Sequence, residues 1–323
     1  MVIYQCRIQW VWIVTYCQSP YSSGKQCSHW SKMSLSRHEA VEFLSGTLGM
    51  PTVSSEDLKP TLPLLNGIIK HFQQIIPYQS VVACSLDDER RHLPSWSEIQ
   101  QSLFAKYGGL CYSLNVFMKV LLESLGYEVV YVSACGFRFN DHVTVIVLNL
   151  RGAGSKDLVE VGCGYPTFQA FPLDFDDESP VYISGFLRHK FVKRENSIIW
   201  YHEPRQTPWS IVTSQLSPDG WFKFIDIEAF TPCDIRYFES SMTAHYTVKE
   251  DNIFLVAPRA VLYENCKLVA IKGTQLITET EDRKVDKKEI ETLEELLHLY
   301  KKYFPQLPQE VIRDAVKHTG LFG

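Results

Sequence analysis

The chain has 323 residues, of which 45% are hydrophobic and 21% charged, with a net charge of −5 at pH 7 and an isoelectric point near 6.1. These values describe an ordinary globular protein, large enough for one big domain or two to three packed lobes. The mild acidity gives nucleic acid or an anionic membrane no electrostatic hold, and no apolar run reaches the length of a membrane span.

The nine cysteines, Cys6, Cys17, Cys27, Cys84, Cys111, Cys135, Cys163, Cys233 and Cys266, are odd in number and irregularly spaced. That argues against a disulfide framework and for a reducing, cytoplasmic setting. No C-x-x-C pair occurs, so no metal site is expected; Cys27-Ser28-His29 is the nearest approach. Residues 1–33 are expected to form an unstructured or weakly structured extension. Within it, Trp10 to Val14 is too short for a signal core and no small-residue cleavage pattern follows.

Helical spacing then predominates from Ser34 to Leu125, with Ser34 or Ser36 as the first cap. Ala40, Val41, Phe43, Leu44 and Leu48 mark one helix. Leu62 through Ile75 mark a second, stopped by Pro77, and Trp96 to Tyr107 a third. A fourth starts near Cys111 and ends at Gly126. Beyond it the texture is that of strands: Tyr127 to Cys135, His142 to Leu150, Leu158 to Gly162, Ile198 to Tyr201 and Ile211 to Thr213. A helix is predicted over Asp234 to Val248. Strands follow at Ile253 to Val256, Ala260 to Tyr263, Leu268 to Lys272 and Gln275 to Thr278. Asp286-Lys287-Lys288-Glu289 has the form of a capping box ahead of a last helix carrying Ile290, Leu293, Leu296, Leu297 and Tyr300.

Gly108-Gly109-Leu110-Cys111 puts a thiol at a helix start. Unpaired N–H groups and the positive end of the helix dipole favour a thiolate there, and the glycines allow close approach. A thiol nucleophile needs a base and an orienter. Of the ten histidines, His298 and His318 fall in C-terminal helices, while His71, His92 and His189 sit among polar neighbours and read as surface residues. His142 instead opens an apolar strand at the edge between loop and core. The next strand pairs with it as a hairpin across the glycine loop at 151–154. Asp157 lies near the turn, and Glu160 is three residues and roughly 10 Å farther along. The odd offset sends the two acids to opposite faces, and Glu160 is the better placed for His142.

Gly-Gly-x-Cys before a helix, Asp141-His142 at a strand start and Glu160-Val161-Gly162-Cys163-Gly164 together resemble the arylamine N-acetyltransferases. The resemblance runs from Ser34 to the C-terminal helix. It includes Pro77-Tyr78-Gln79-Ser80, where the family has Pro-Phe-Glu-Asn, the segment Tyr237 to Ser240, and the helix over Glu289 to Leu299. It implies an α+β fold with a cysteine-protease-like catalytic core. The expected units are a helical bundle over 34–126 with the catalytic cysteine, a β-barrel over 127–232 with the histidine and acid, and an α/β lid over 233–323. It also implies a monomeric ping-pong acyltransferase of xenobiotic metabolism. Cys111 would take an acetyl group from acetyl-CoA, His142 would move protons, Glu160 would hold His142, and an aromatic amine or hydrazine would accept the group.

Four departures stand out. Glu160 replaces the usual Asp, Tyr107 and Gln79 replace an Arg and a Glu that pair in the family, and Cys163 replaces an aromatic residue of the acceptor pocket, which widens it. Val248 to Phe254 stands where the family has Ser-Pro-x-Ser-x-Phe, and Glu250 and Asp251 would repel CoA phosphates, with Lys249 offsetting part of that. The residues therefore also admit a CoA-independent thiol hydrolase or transamidase, or a catalytically silent binding protein.

Overall fold

The computed structural model describes residues 33–51, 58–136, 140–204, 216–250 and 252–322. The extension, Cys27-Ser28-His29, the segment Ile211 to Thr213 and Asp251 lie outside them. The first helices start where hydroxyl side chains can cap them. Ser36 accepts from Glu39 N at 3.2 Å ahead of α1 (Arg37–Glu42), which widens into a π turn over Phe43–Thr47. Thr61 caps α2 (Leu62–Ile75), and Ser95 with Glu98 boxes α4 (Trp96–Phe104). Two short elements, β1 (Tyr78–Gln79) and α3 (Val81–Ser85), lie between α2 and α4. The third predicted helix stops at Phe104 and not at Tyr107, because Lys106 takes a left-handed φ of 63°.

α5 (Cys111–Ser124) is buried on nearly every side, which explains why its sequence is apolar all round. It packs against β2 (Glu128–Cys135) and β3 (His142–Leu148), inner strands of an eight-stranded antiparallel sheet. The other members are β4 (Lys156–Val159), β5 (Phe171–Pro172), β6 (Tyr182–Ser184), β7 (Leu187–Lys193), β8 (Ile198–His202) and β9 (Phe222–Cys233). The order β5-β4-β3-β2-β9-β8-β7-β6 is not closed by a ladder. Its two edges meet through the rings of Phe171 and Tyr182, 5.0 Å apart, so the sheet is a half-barrel. Its interior is filled by Val132, Ile146, Leu158, Phe191, Trp200 and Ile225 among others, each worth roughly 1.5–3 kcal/mol of burial.

The predicted helix over Asp234 to Val248 is two pieces, a 3-10 turn at Ile235–Phe238 and α6 (Glu239–Thr247). Ile253–Val256 is a one-turn helix, α7, and not a strand: Asn252 Oδ1 accepts from Phe254 N at 3.0 Å and caps it. A second sheet joins β1 to β10 (Arg259–Leu262), β11 (Val269–Lys272), β12 (Gln275–Glu279) and β13 (Val285–Glu289). The predicted capping box at Asp286 to Glu289 is in fact β13. α8 (Leu293–Tyr303) begins later, with Thr292 accepting from Glu295 N at 3.1 Å. α9 (Gln309–Thr319) closes on Gly320 at φ 69°. The two sheets share a core of Tyr165, Phe186, Val261, Tyr263 and Ile277. Among the described residues no helix is long and apolar enough to cross a membrane.

Candidate active site

Cys111 is the first residue of α5, and Leu110 before it offers no capping side chain, so the first N–H groups of the helix are left to the thiol's surroundings. The glycine pair serves the chain's own packing. Gly108 has φ +75°, and a Cβ there would lie 1.9 Å from Pro77 O. A Cβ on Gly109 would lie 2.7 Å from Ser113 Cβ. The loop is tied by Ser102 Oγ donating to Gly108 O at 2.7 Å and Gln79 N donating to Gly109 O at 2.9 Å. What approaches these glycines is therefore Pro77 and Ser113.

His142 opens β3 opposite Ala134 of β2 and is 7% exposed. The preceding Asn140, at φ 54°, turns the chain into the strand and is pinned by Ser133 Oγ at 3.0 Å and Tyr237 O at 2.9 Å. The β3–β4 register pairs Val145 with Val159. Carried one residue further, it sets Glu160 opposite Thr144 and diagonal to His142 on the same face. His142 Nε2 and Glu160 Oε2 are 2.8 Å apart, both residues are buried, and Cys111 is near enough to the imidazole to favour its protonation. With Nε2 taken by Glu160, Nδ1 is the ring nitrogen left for the thiol. Asp157 faces elsewhere and pairs with Arg151 at 2.8 Å. The structure thus brings Cys111, His142 and Glu160 together in series.

Burial opposes charge on both partners, yet each is held ionised by the other. Burial pushes His142 down, but the Glu160 charge and the nearby Cys111 carry it well above its ordinary 6.5. Burial pushes Glu160 up, while His142 and Asn115 hold it below its ordinary 4.5. Asn115, one turn after Cys111, is the residue that sequence reasoning missed. Its Nδ2 donates to Glu160 Oε1 at 2.8 Å and to Val143 O at 2.7 Å, and its Oδ1 accepts from Val161 N at 3.2 Å. Its signal was the i+4 spacing, which puts it on the Cys111 face of α5. Gly162 N adds a bond to Glu160 Oε1 at 2.7 Å, and a Cβ on Gly162 would lie 2.8 Å from Cys111 Cα. Gln73 holds the loop beyond, donating to Thr167 Oγ1 at 2.6 Å and accepting from Thr167 N at 2.8 Å.

A cavity of about 510 Å³ lies over Cys111 and His142, walled by Tyr78, Phe222, Phe224 and Phe254. Cys163 lines it too. Burial, then the Glu160 charge, pushes the Cys163 thiol well above its ordinary range, which keeps it protonated. Glu250 reaches the same cavity and is exposed, whereas Lys249 Nζ is turned to His318 O at 3.2 Å. Of the histidines read as surface residues, His189 is fully buried. It accepts at Nδ1 from Trp200 Nε1 at 3.0 Å, and burial pushes it down to about 3. Strand alternation explains this, since Leu187, His189 and Phe191 share the inner face of β7. Among the described residues no group of His, Cys, Asp and Glu could hold a metal ion.

The family model described as N-acetyltransferase matches residues 61–309, well over half of the chain. The chain belongs to the arylamine N-acetyltransferase family. Solved arylamine N-acetyltransferases share its α+β fold. The enzyme from Mycobacterium abscessus superposes with a TM-score of 0.68 at 14% identity, over 87% of this chain and 94% of its own. That from Mycobacterium marinum, solved in complex with CoA, gives 0.68 at 14% identity, over 86% and 98%. One from Bacillus cereus, described as having a unique Cys-His-Glu catalytic triad, gives 0.63 at 15% identity, over 81% and 96%. No curated protein matches the chain.

Against the arylamine N-acetyltransferase pattern, Gln79 is buried and its Oε1 accepts from Val82 N at 3.0 Å, while Tyr107 is half-buried. A charge nevertheless returns to this corner. Arg91, buried and paired with Asp88 at 2.6 Å, lines a small cavity of about 110 Å³ with Gln79 and the glycine pair.

Proposed function

We propose that this family member transfers an acetyl group from acetyl-CoA to an aromatic amine or hydrazine through a thioester on Cys111. The observation that carries this reading is the Cys111–His142–Glu160 series, placed at a helix start beneath an aromatic-walled cavity. The Cys111 thiolate attacks the thioester carbonyl. A bond forms from Sγ to the acyl carbon, the bond from that carbon to the CoA sulfur breaks, and the departing thiolate takes the His142 proton. A neutral amine then attacks the acyl-cysteine. The new N–C bond forms as the C–Sγ bond breaks, and the amine proton passes to His142, restoring the starting pair. Glu160 fixes the tautomer and keeps the imidazolium favourable throughout. Positioned proton transfer contributes on the order of 10²–10⁴ in rate. The Mycobacterium marinum complex with CoA and the Cys-His-Glu triad of the Bacillus cereus enzyme support the donor and the glutamate.

The test is acylation without acceptor. Mixed with acetyl-CoA, the protein should release one equivalent of free CoA in a burst, and peptide mass spectrometry should find the acetyl group on Cys111. Cys111→Ser should show neither. If iodoacetamide alkylates Cys111 rapidly, yet acetyl-CoA neither protects it nor leaves an adduct, CoA-dependent transfer is wrong and a CoA-independent thiol enzyme takes its place. A Cys111 no more reactive than Cys84 would leave only a binding role.

A further inference from the structure

β1 is only two residues long, yet its first residue is held from both sides beside the thiol. Tyr78 pairs with Val261 of β10 and forms a parallel bridge to Gly109, two residues before Cys111. Gly109 N donates to Pro77 O at 3.3 Å and Gln79 N donates to Gly109 O at 2.9 Å, so the Tyr78 backbone is fixed to the turn that presents Cys111. Its ring is fixed as well. A Cβ on Gly164 would lie 3.0 Å from Tyr78 Cδ1 and 3.1 Å from Cε1, and the Phe254 ring meets it edge-on at 6.4 Å and 78°. Tyr78 lines the cavity together with Cys111 and His142, and its hydroxyl has no hydrogen-bond partner among the described residues. The nearby tyrosine hydroxyls are engaged: that of Tyr246 lies 3.1 Å from Ser113 Oγ, and that of Tyr263 donates to Gly164 O at 2.8 Å. A buried tyrosine usually spends its hydroxyl on a partner, so one left open on a reaction cavity points to a partner that arrives with the substrate.

The chemistry at Cys111 names that partner. When Sγ bonds to the acyl carbon, the C=O π pair moves onto oxygen and a tetrahedral oxyanion forms. That charge exists in neither substrate nor product, so a donor aimed at it accelerates the step. Tyr78 is suited to donate without losing its proton. Burial, then the Cys111 thiol, pushes it well above its ordinary 10.0, while the Arg259 guanidinium acts the other way and sharpens the O–H as a donor. His142 is not available for this, being committed to Glu160 and to the proton it exchanges with sulfur. The family resemblance puts a phenylalanine at this position, so the hydroxyl is what this chain adds. We propose that the Tyr78 hydroxyl is a further catalytic group, donating to the acyl oxygen as the tetrahedral intermediate forms on Cys111 and as it collapses. The oxygen's electron pair re-forms C=O when the bond to the CoA sulfur breaks, and the phenol proton stays on Tyr78 throughout. This rests on the transfer chemistry proposed above.

Tyr78→Phe removes the hydroxyl and leaves the ring against Gly164 and Phe254, so the melting temperature should hardly move. Acylation of Cys111 by acetyl-CoA, followed as CoA release in a stopped flow, should fall at least tenfold; loss of one oxyanion donor in other enzymes costs about 10²–10³. The interaction belongs to the transition state, so kcat and kcat/KM for acetyl-CoA should fall together, with KM within twofold of native. Iodoacetamide alkylates Cys111 at a saturated carbon, where no oxyanion forms, and its rate should stay within twofold of native. The proposal is overturned if acylation stays within threefold of native, or if KM alone rises, which would make Tyr78 a binding residue. It is equally overturned if alkylation falls in step with acylation, since the hydroxyl would then act on the thiol. If acetyl-CoA does not acylate the native chain, the transfer reading fails by itself. The acyl ester para-nitrophenyl acetate then decides Tyr78, because its transfer to Cys111 passes through the same intermediate. Nitrophenolate release from the native chain should exceed that from Tyr78→Phe at least tenfold, and equal rates or no release overturn the role.

Discussion

Glu160→Gln isolates the charge of the orienting residue while keeping its shape. In the native site Glu160 Oε1 accepts from Asn115 Nδ2 and Gly162 N, and Oε2 faces His142 Nε2 at 2.8 Å. A glutamine can keep its oxygen on Asn115 and Gly162, and then presents an NH₂ to His142 Nε2. That nitrogen must become an acceptor, which moves the ring proton to Nδ1, the side facing Cys111. The imidazole can then no longer take a proton from the thiol. The same carboxylate-to-amide change in the serine-protease triad costs about 10⁴ in rate through the wrong tautomer. We expect a fall of about 10³–10⁴ in the rate of Cys111 acylation, equivalent to roughly 4–5.5 kcal/mol of barrier. His142 also loses the charge that lifts it above 6.5 against burial, so its imidazolium should become scarce at pH 7. Stopped-flow CoA release gives the rate, and ¹⁵N shifts of the His142 ring report the tautomer directly. Acylation within threefold of the native rate, with the ring still protonated at Nε2, would refute the reasoning.

Three further outcomes follow from the same contacts. Asn115→Ala strips partners from Glu160, Val143 O and Val161 N, and should lower stability by about 2–4 kcal/mol in urea unfolding as well as slowing Cys111 alkylation. Gly162→Ala places a Cβ 2.8 Å from Cys111 Cα and 2.9 Å from Asn115 Nδ2; backbone cannot yield cheaply, and acylation should drop by about 10²-fold with the fold retained on circular dichroism. The His142–Glu160 pair should also shape the pH dependence of thermal stability. Glu160 is depressed, so its contribution is present above 4.5 and is lost as pH falls through its folded value. His142 is raised, so its contribution is full below 6.5 and is lost as pH rises through its folded value. The melting temperature of the native chain relative to Glu160→Gln should therefore peak between pH 4.5 and 6.5, and a constant difference would contradict the pairing.

The elements that carry the site were legible because their periodicity is strong. α5 is an unbroken apolar helix, and β2 and β3 are runs of Val, Ile and Tyr. The odd offset between Asp157 and Glu160 assigned the acid that faces His142, since a strand fixes faces without knowledge of tertiary contacts. Short segments lacked that protection. Ile253 to Val256 is four apolar residues, too few to show any period, and the side chain of Asn252 decided in favour of a helical turn. Asp286 to Glu289 has a cap's composition, but charged residues also suit an edge strand, and β13 is the edge of its sheet. Asn115 was illegible for another reason. Its meaning comes from residues 28 to 46 positions away, contacts that no local pattern encodes.

The glycine-cysteine turn keeps its shape with the uncharged Tyr107 and Gln79 where the family resemblance implies a charged pair. Its shape is set by backbone contacts: Pro77 O against Gly108, Gln79 N to Gly109 O, and Ser102 Oγ to Gly108 O. None of these needs a charge. A buried ion pair adds little stability beyond its own desolvation, whereas half of one is costly, so Tyr107 and Gln79 can replace both partners together. Gln79 still uses its side-chain oxygen on Val82 N, which ties α3 to the turn. Arg91 arrives from the segment between α3 and α4 and brings its own carboxylate, Asp88, so its charge is never left alone beside the turn. The position of Cys111 thus depends on sterics and main-chain hydrogen bonds, and in the proposed mechanism the charges that act on its sulfur come from His142 and Glu160.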